Sequence, residues 1–283
     1  MIPAEVELYL RQHAMGDVAS VQSVGGGCIN HGSRLRTTKG ATFFLKTNHT
    51  APADMFACEA EGLDVLRVAN GPRLPRPLLH GAGFLLLEDL APAGRRKNYW
   101  LEFGHQLAAL HSYNQPRFGF HHDNYIGSTP QPNPWTADGH TFFAESRLLY
   151  QARLAQQQGL LPRAEMLQVE RLAARLPDLV PAQPASLLHG DLWGGNAISD
   201  QDGNPAIIDP AAQYGWAEAE LAMTALFGAF PAEFYRAYQE VRPLEEGFWE
   251  RFPIYNLYHL LNHLNLFVGG YLMQVKAVLN RFG

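Results

Sequence analysis

The run His189-Gly190-Asp191, with Asn196 five residues after the aspartate and Asp209 thirteen after that, has the residue types of a phosphoryl-transfer centre. That chemistry needs one carboxylate to orient an acceptor hydroxyl and take its proton. It also needs an amide and a second carboxylate to hold a hard cation such as Mg²⁺ on the phosphates. Gly-Asp alone is ordinary turn chemistry, and the histidine alone could be a structural hydrogen bonder. The longer run Leu192-Trp193-Gly194-Gly195-Asn196, followed by Ile207-Ile208-Asp209, carries the catalytic reading.

Two short apolar segments must position these groups. Asn196-Ala197-Ile198-Ser199 and Pro205-Ala206-Ile207-Ile208-Asp209 flank the turn Asp200-Gln201-Asp202-Gly203-Asn204, which predicts a β-hairpin. The hairpin brings Asn196 beside Asp209, with Asp191 on the loop that enters it.

Upstream, Gly25-Gly26-Gly27-Cys28-Ile29-Asn30 precedes an expected strand over residues 33–37. Glycines let backbone N–H groups approach phosphate oxygens, although a glycine-rich hairpin turn gives the same pattern. Lys46 lies in the apolar strand Phe43-Phe44-Leu45-Lys46, where an unpaired ammonium would be costly to bury. It reads either as a lysine snorkelling at an edge or as one that reaches phosphates with a helix carboxylate for a partner. On a helix expected over residues 53–70, Glu59 shares the face of Met55, Phe56, Leu63 and Leu66, whereas Glu61 is offset. Glu59 is the expected partner. Glu88-Asp89-Leu90 closes the strand Phe84-Leu85-Leu86-Leu87, and its backbone is placed to meet a purine between two lobes.

The chain has 283 residues, 47% of them hydrophobic, enough for one large domain or two lobes. Glycine clusters and β-rich runs fill residues 20–90, and helical spacing dominates from Trp100 onward, as in 101–111, 142–157 and 255–267. An α+β fold is expected, with a nucleotide-binding lobe over 1–90, a linker at Ala91-Pro92-Ala93-Gly94, and a helical catalytic and substrate lobe over 91–283. The net charge of −5 offers no basic field for nucleic acid or anionic membrane. Cys28 and Cys58 are too few for a disulfide framework or a thiolate zinc site, so a reduced, cytoplasmic chain is expected. Glu5 and Glu7 stand where a signal peptide needs apolar residues, and no apolar stretch approaches the ~18 residues of a membrane span.

These residues, in this order, resemble the protein-kinase-like superfamily in its aminoglycoside and choline kinase branch, and most of all the fructosamine kinase (ketosamine-3-kinase) family. The resemblance takes in the glycine loop, Phe56 with Glu59, residues 124–128, Gln131 with Asn133, Phe142-Phe143 and residues 188–196. It continues through residues 220–223 and 226–228 to residues 258–263. It implies a two-lobed kinase fold and ATP- and Mg²⁺-dependent phosphorylation of the 3-hydroxyl of a ketosamine, the adduct that glycation leaves on an amine. The resemblance makes Asp191 the base, Asn196 and Asp209 the metal ligands, Gly25, Gly26 and Gly27 the phosphate loop, and Lys46 with Glu59 the phosphate clamp. Substrates would be small sugar-amines or glycated protein lysines, handled by a monomer or a homodimer. The chain departs from the family at Trp216-Ala217, where His-Arg is usual, and at Asp138-Gly139-His140, ahead of Phe142-Phe143, where an Asp-Trp pair is usual.

On the acceptor side, Trp193 in its glycine-rich loop reads as a ring stacking on sugar or amine, or as a buttress for the loop. Trp216 and His263 are also expected at the substrate, although His259 and His263, four apart on an apolar helix, read equally well as core histidines. Without the H-E-x-x-H glutamate that pair is no zinc site, and His121-His122 reads as a loop pair without a role. Glu218, Glu220, Glu233, Glu240, Glu245 and Glu246 fall mostly at the spacing of solvated helix faces. The alternatives are a kinase of another small alcohol, such as an aminoglycoside, choline or a homoserine-like compound, and a nucleotide-binding pseudokinase.

Overall fold

Strict alternation of side chains builds the first part of the molecule. The computed structural model describes residues 2–25 and 29–283. Helix α1 (Ala4–Gln12) precedes strands β1 (Val18–Val24), β2 (His31–Thr37) and β3 (Thr42–Thr47). Helix α2 (Met55–Val65) follows, then β4 (Pro77–Gly81) and β5 (Phe84–Glu88). The strands form one antiparallel sheet in the order β1-β2-β3-β5-β4. Phe43, Leu45, Phe84 and Leu86 point to one face, where they pack on Val6 and Leu10 of α1. Their neighbours Phe44, Leu85 and Leu87 point to the other face, against Phe56, Ala60 and Leu63 of α2. This period of two places Lys46 on the α2 face.

That face is shared with the rest of the chain. Phe56, Leu63 and Leu66 are fully buried in a core that continues into the helical lobe, each contributing roughly 1.5–3 kcal/mol of burial. Gly62 lets α2 lie close to the segment after Asp209: a Cβ there would stand 3.4 Å from Ala212 and 3.5 Å from Pro210.

Residues 89–98, which contain the expected lobe boundary, carry neither strand nor helix. Beyond them come α3 (Tyr99–His111) and the short strands β6 (Asn114–Gln115), β7 (Asn124–Ile126) and β8 (Thr129–Gln131). Helix α4 (Gly139–Phe143) runs through a π-helical turn at Ala144–Leu149 into α5 (Tyr150–Gln157), followed by α6 (Arg163–Ala174) and α7 (Leu176–Leu179). Strands β9 (Ala185–Leu188), β10 (Ala197–Ser199), β11 (Pro205–Ile207) and β12 (Gln213–Gly215) come next. Helices α8 (Ala217–Leu226), α9 (Ala232–Val241), α10 (Phe248–Phe267) and α11 (Tyr271–Phe282) close the chain. The expected α+β order of a strand-rich lobe and a helical lobe is what the structure has. None of the described helices is long and apolar enough to cross a membrane.

Candidate active site

The loop between β9 and β10 holds Asp191. Its entry is fixed by β9, which pairs with β12, and its exit by the β10–β11 hairpin, where Ala197 faces Ile207. The hairpin forms where the sequence places it. Ile208 N donates to Asn196 O at 3.1 Å, so the residue before Asp209 is tied directly to Asn196. Asn196 Nδ2 donates to Asp191 O at 2.8 Å and approaches Asp191 Oδ2 at 3.3 Å. The amide nitrogen is therefore engaged inside the loop, leaving Oδ1 as the acceptor able to face a cation. Asp209 has φ +60°, a left-handed backbone that costs a non-glycine residue about 1–3 kcal/mol, an outlier of the kind that collects at functional sites.

Lys46 joins the two lobes. Its Nζ lies 2.5 Å from Glu59 Oε1 and 2.6 Å from Asp209 Oδ1. Burial alone would lower its pKa, but the carboxylates of Asp209 and Glu59 hold it above the usual lysine range, so the ammonium stays charged. Asp191 behaves oppositely. Burial first, then the nearby Asp209 charge, push its carboxyl up to about 7 against the opposing Asn196 hydrogen bond, the range of a proton acceptor working near neutrality.

His189 is the structural hydrogen bonder that the tripeptide admits. Its Nε2 donates to Ile208 O at 2.8 Å, and its Nδ1 accepts from Asp191 N at 3.3 Å. Burial keeps the ring neutral, as that pattern requires. Gly190 has φ +86°, and a Cβ there would fall 2.1 Å from Ala211 O, so only glycine fits.

The residue that the sequence misplaces most is Glu220. Read as part of a solvated helix face, it is fully buried under the loop. Its Oε1 accepts from Gly190 N at 2.6 Å; its Oε2 accepts from His189 N at 3.1 Å and from His111 Nε2 at 2.8 Å. Burial would raise its pKa, yet the His111 bond and charge hold it below the usual glutamate range. Glu218 is buried as well, paired with Arg251 Nε at 2.5 Å. Both partners are remote in sequence, and helical periodicity cannot reveal them.

A second buried network follows Asp209. Asn124 Nδ2 donates to Ala212 O at 2.8 Å, and Gln131 Nε2 donates to Ala211 O at 3.2 Å and to Asn124 Oδ1 at 2.8 Å. Asn133 Nδ2 reaches Asn124 Oδ1 at 2.9 Å, and Arg147, on the π-helical turn, donates to Asn133 Oδ1 at 2.6 Å. These polar residues hold the backbone at Ala211 and Ala212, just after Asp209. Their signal in the sequence is polarity amid apolar neighbours.

Other expected site residues take different places. Gly25 is exposed at the end of β1; Gly26, Gly27 and Cys28 lie outside the described residues. The side chains of Glu88 and Asp89 are committed elsewhere: Glu88 pairs with Arg73 and accepts from Arg76 N at 3.1 Å, and Asp89 pairs with Arg34 Nε at 2.6 Å. Glu88 N also donates to Arg76 O at 2.9 Å, which leaves the backbone of Asp89 and Leu90, beyond the last β3–β5 pair, Phe43 with Glu88, for a hinge role. Trp216 requires a correction. Its ring is buried among Phe118, His140, Phe143 and Tyr255. It borders a cavity of about 30 Å³, which holds about one water and no sugar. At the start of α8 the ring turns inward because a large apolar surface is worth more in the core than in solvent. Trp193 is half-buried and meets Phe227 edge-on, and Phe227 in turn packs on His263. His263 Nδ1 is bonded to His259 O at 2.8 Å, so its Nε2 is the nitrogen left for a ligand.

Comparison with known proteins gives the family. The family model for fructosamine kinase matches residues 3–282. A probable ketoamine kinase from Synechocystis sp. is 44% identical over 266 residues, covering 92% of this chain and 89% of that protein. The chloroplastic protein-ribulosamine 3-kinase of Arabidopsis thaliana is 37% identical over 287 residues, covering 98% and 86%. The crystal structure of a fructosamine-3-kinase homologue from Thermobifida fusca superposes with a TM-score of 0.86 at 35% identity, covering 98% of each chain. With a matching model over almost its whole length, the chain belongs to the fructosamine kinase family.

Proposed function

We propose that this chain is an ATP-dependent kinase that phosphorylates the 3-hydroxyl of ketosamines, fructosyl- or ribulosyl-amines formed by glycation. The observation that carries the reaction type is the convergence of Asp191, Asn196 and Asp209 with the Lys46–Glu59 pair at the meeting of the lobes. The acceptor class rests on relatives named as ketoamine and ribulosamine kinases.

In this reading Asp191 lies beside the sugar hydroxyl, aligns it for in-line attack and accepts its proton. Lys46 and the glycine-loop amides take the triphosphate, and Glu59 holds the lysine in place. The oxygen-donor pair Asn196 Oδ1 and Asp209 suits Mg²⁺, which would neutralise charge on the transferring phosphoryl group. Trp193, next to the Phe227–His263 pair, is the ring best placed to stack on the acceptor.

The test is ADP release with Mg²⁺ on fructosyl-, ribulosyl- and erythrulosyl-amines beside choline and an aminoglycoside. Turnover confined to ketosamines, and reduced about 10²–10⁴-fold in Asp191→Asn, is the expected result. Turnover only on the other alcohols would discard the acceptor class, and a fully active Asp191→Asn would discard the assigned base.

A further inference from the structure

Away from the phosphoryl-transfer residues, Glu61 on α2 meets His121 and His122 from the segment between α3 and β7. His122 Nε2 lies 2.5 Å from Glu61 Oε2, and His121 Nε2 contacts Oε1 of the same carboxylate. The three ligating atoms all lie within 4.8 Å of one another. Ligands on a tetrahedral ion with bonds of about 2.1 Å stand roughly 3.4 Å apart, so small side-chain adjustments suffice to admit one. All three side chains are partly open, at 43% exposure for Glu61, 45% for His121 and 32% for His122, which gives an ion an entry path and room for water in the fourth position.

His122 Nδ1 lies 2.8 Å from Asp123 O, a pure acceptor, and its Nε2 faces the carboxylate, also an acceptor. A neutral imidazole carries one N–H and satisfies only one of them, whereas the imidazolium donates to both. A metal cation at Nε2 would take the place of that second proton: Nδ1–H donates to the Asp123 carbonyl, the usual outer partner of a metal-bound histidine, and Nε2 gives its lone pair to the ion. Imidazole with carboxylate suits first-row transition metals, whereas Mg²⁺ prefers oxygen alone.

We propose that Glu61, His121 and His122 form a binding site for Zn²⁺ or a similar transition-metal dication, distinct from the Asn196–Asp209 pair. Cys58, one turn earlier on α2, is not part of it: its thiol is directed to Asp123 O at 3.8 Å, and burial pushes it up to about 11. An ion here fastens α2 to the helical lobe two residues from Glu59, so it stiffens the helix that presents Glu59 to Lys46.

The test is calorimetric titration of chelator-treated full chain with Zn²⁺, and absorbance titration with Co²⁺. One equivalent should bind, with Co²⁺ bands in the visible range, and Glu61→Gln, His122→Gln and the more exposed His121→Gln should each weaken it at least tenfold while circular dichroism stays native. His49→Ala, at a histidine outside the cluster, should bind as wild type does. Absence of saturable binding, binding unchanged by all three ligand variants, or binding lost in His49→Ala instead would each overturn the proposal.

Discussion

Replacing Glu220 by glutamine tests how the catalytic loop is held. The carboxylate accepts from three buried donors, Gly190 N, His189 N and His111 Nε2. Glutamine keeps one oxygen and turns the other acceptor into an N–H₂ group. If the oxygen stays on Gly190 N, the new donor faces both His189 N and His111. His111 can adapt by changing tautomer, because its Nδ1 partner is the Tyr238 hydroxyl, which donates or accepts. The His189 N–H cannot adapt, so at least one buried donor is orphaned, at about 1–3 kcal/mol. Loss of charge assistance on the Gly190 bond adds roughly 1 kcal/mol. The expected destabilisation is about 2–4 kcal/mol, or roughly 4–8 °C in melting temperature at about 2 °C per kcal/mol for a chain of this size. Glu220 has no exposed surface and touches no substrate, so it acts by positioning Asp191. Turnover should fall about 10–100-fold while KM for ATP changes little, as expected of a misplaced reacting group. Thermal melts and steady-state kinetics on the same preparation check both. A Glu220→Gln protein that melts within a degree of wild type and keeps its kcat would refute the reasoning.

Gly190→Ala should cost at least about 2 kcal/mol and most of the turnover, since φ +86° and a Cβ 2.1 Å from Ala211 O leave no room; near-normal activity would show that the loop can reshape. Acid sensitivity is a further expectation. Burial, with the charges of His263 and Arg147, holds His259 down to about 3, so it is neutral in the fold but titrates at its ordinary value when unfolded. A depressed histidine makes the unfolded chain bind more protons, so stability is full above pH ~6.5 and falls as pH drops toward the folded value. By pH 5 this one group accounts for about 2 kcal/mol. Urea unfolding at pH 7.5 and 5.0 should show His259→Gln losing less on acidification than wild type; equal losses would contradict the assignment.

The sequence made the β10–β11 hairpin legible because its turn chemistry and flanking apolar runs are local. The pairing of Lys46 with Glu59 was legible for a related reason: period two in a strand and helical spacing in α2 each fix a direction, and the two directions meet. Long-range partners were not legible. Glu220 and Glu218 sit at spacings that look solvated, and only His111, Gly190 and Arg251, brought in by tertiary contacts, explain their burial. The helix expected over residues 142–157 contains a π-helical turn, a local widening that leaves no periodic signature. The helix expected over 53–70 stops at Val65, where Arg67 turns to donate to Pro75 O at 2.7 Å and Asn70 takes φ +60° before Gly71. Trp216 was misread because an aromatic residue near a site motif looks the same whether it faces ligand or core.

Lys46 has a consequence for how the halves of the molecule communicate. One ammonium clasps Glu59 from the sheet side and Asp209 from the helical side. In the proposed reading, a divalent ion arriving at Asp209 would compete with that ammonium for the same carboxylate, and the two positive charges would repel. Cation affinity and the grip between the lobes are thus two faces of one linked equilibrium. Under that reading, whatever pries the lobes apart would make Asp209 a stronger ligand, and an ion bound there would slacken the clasp.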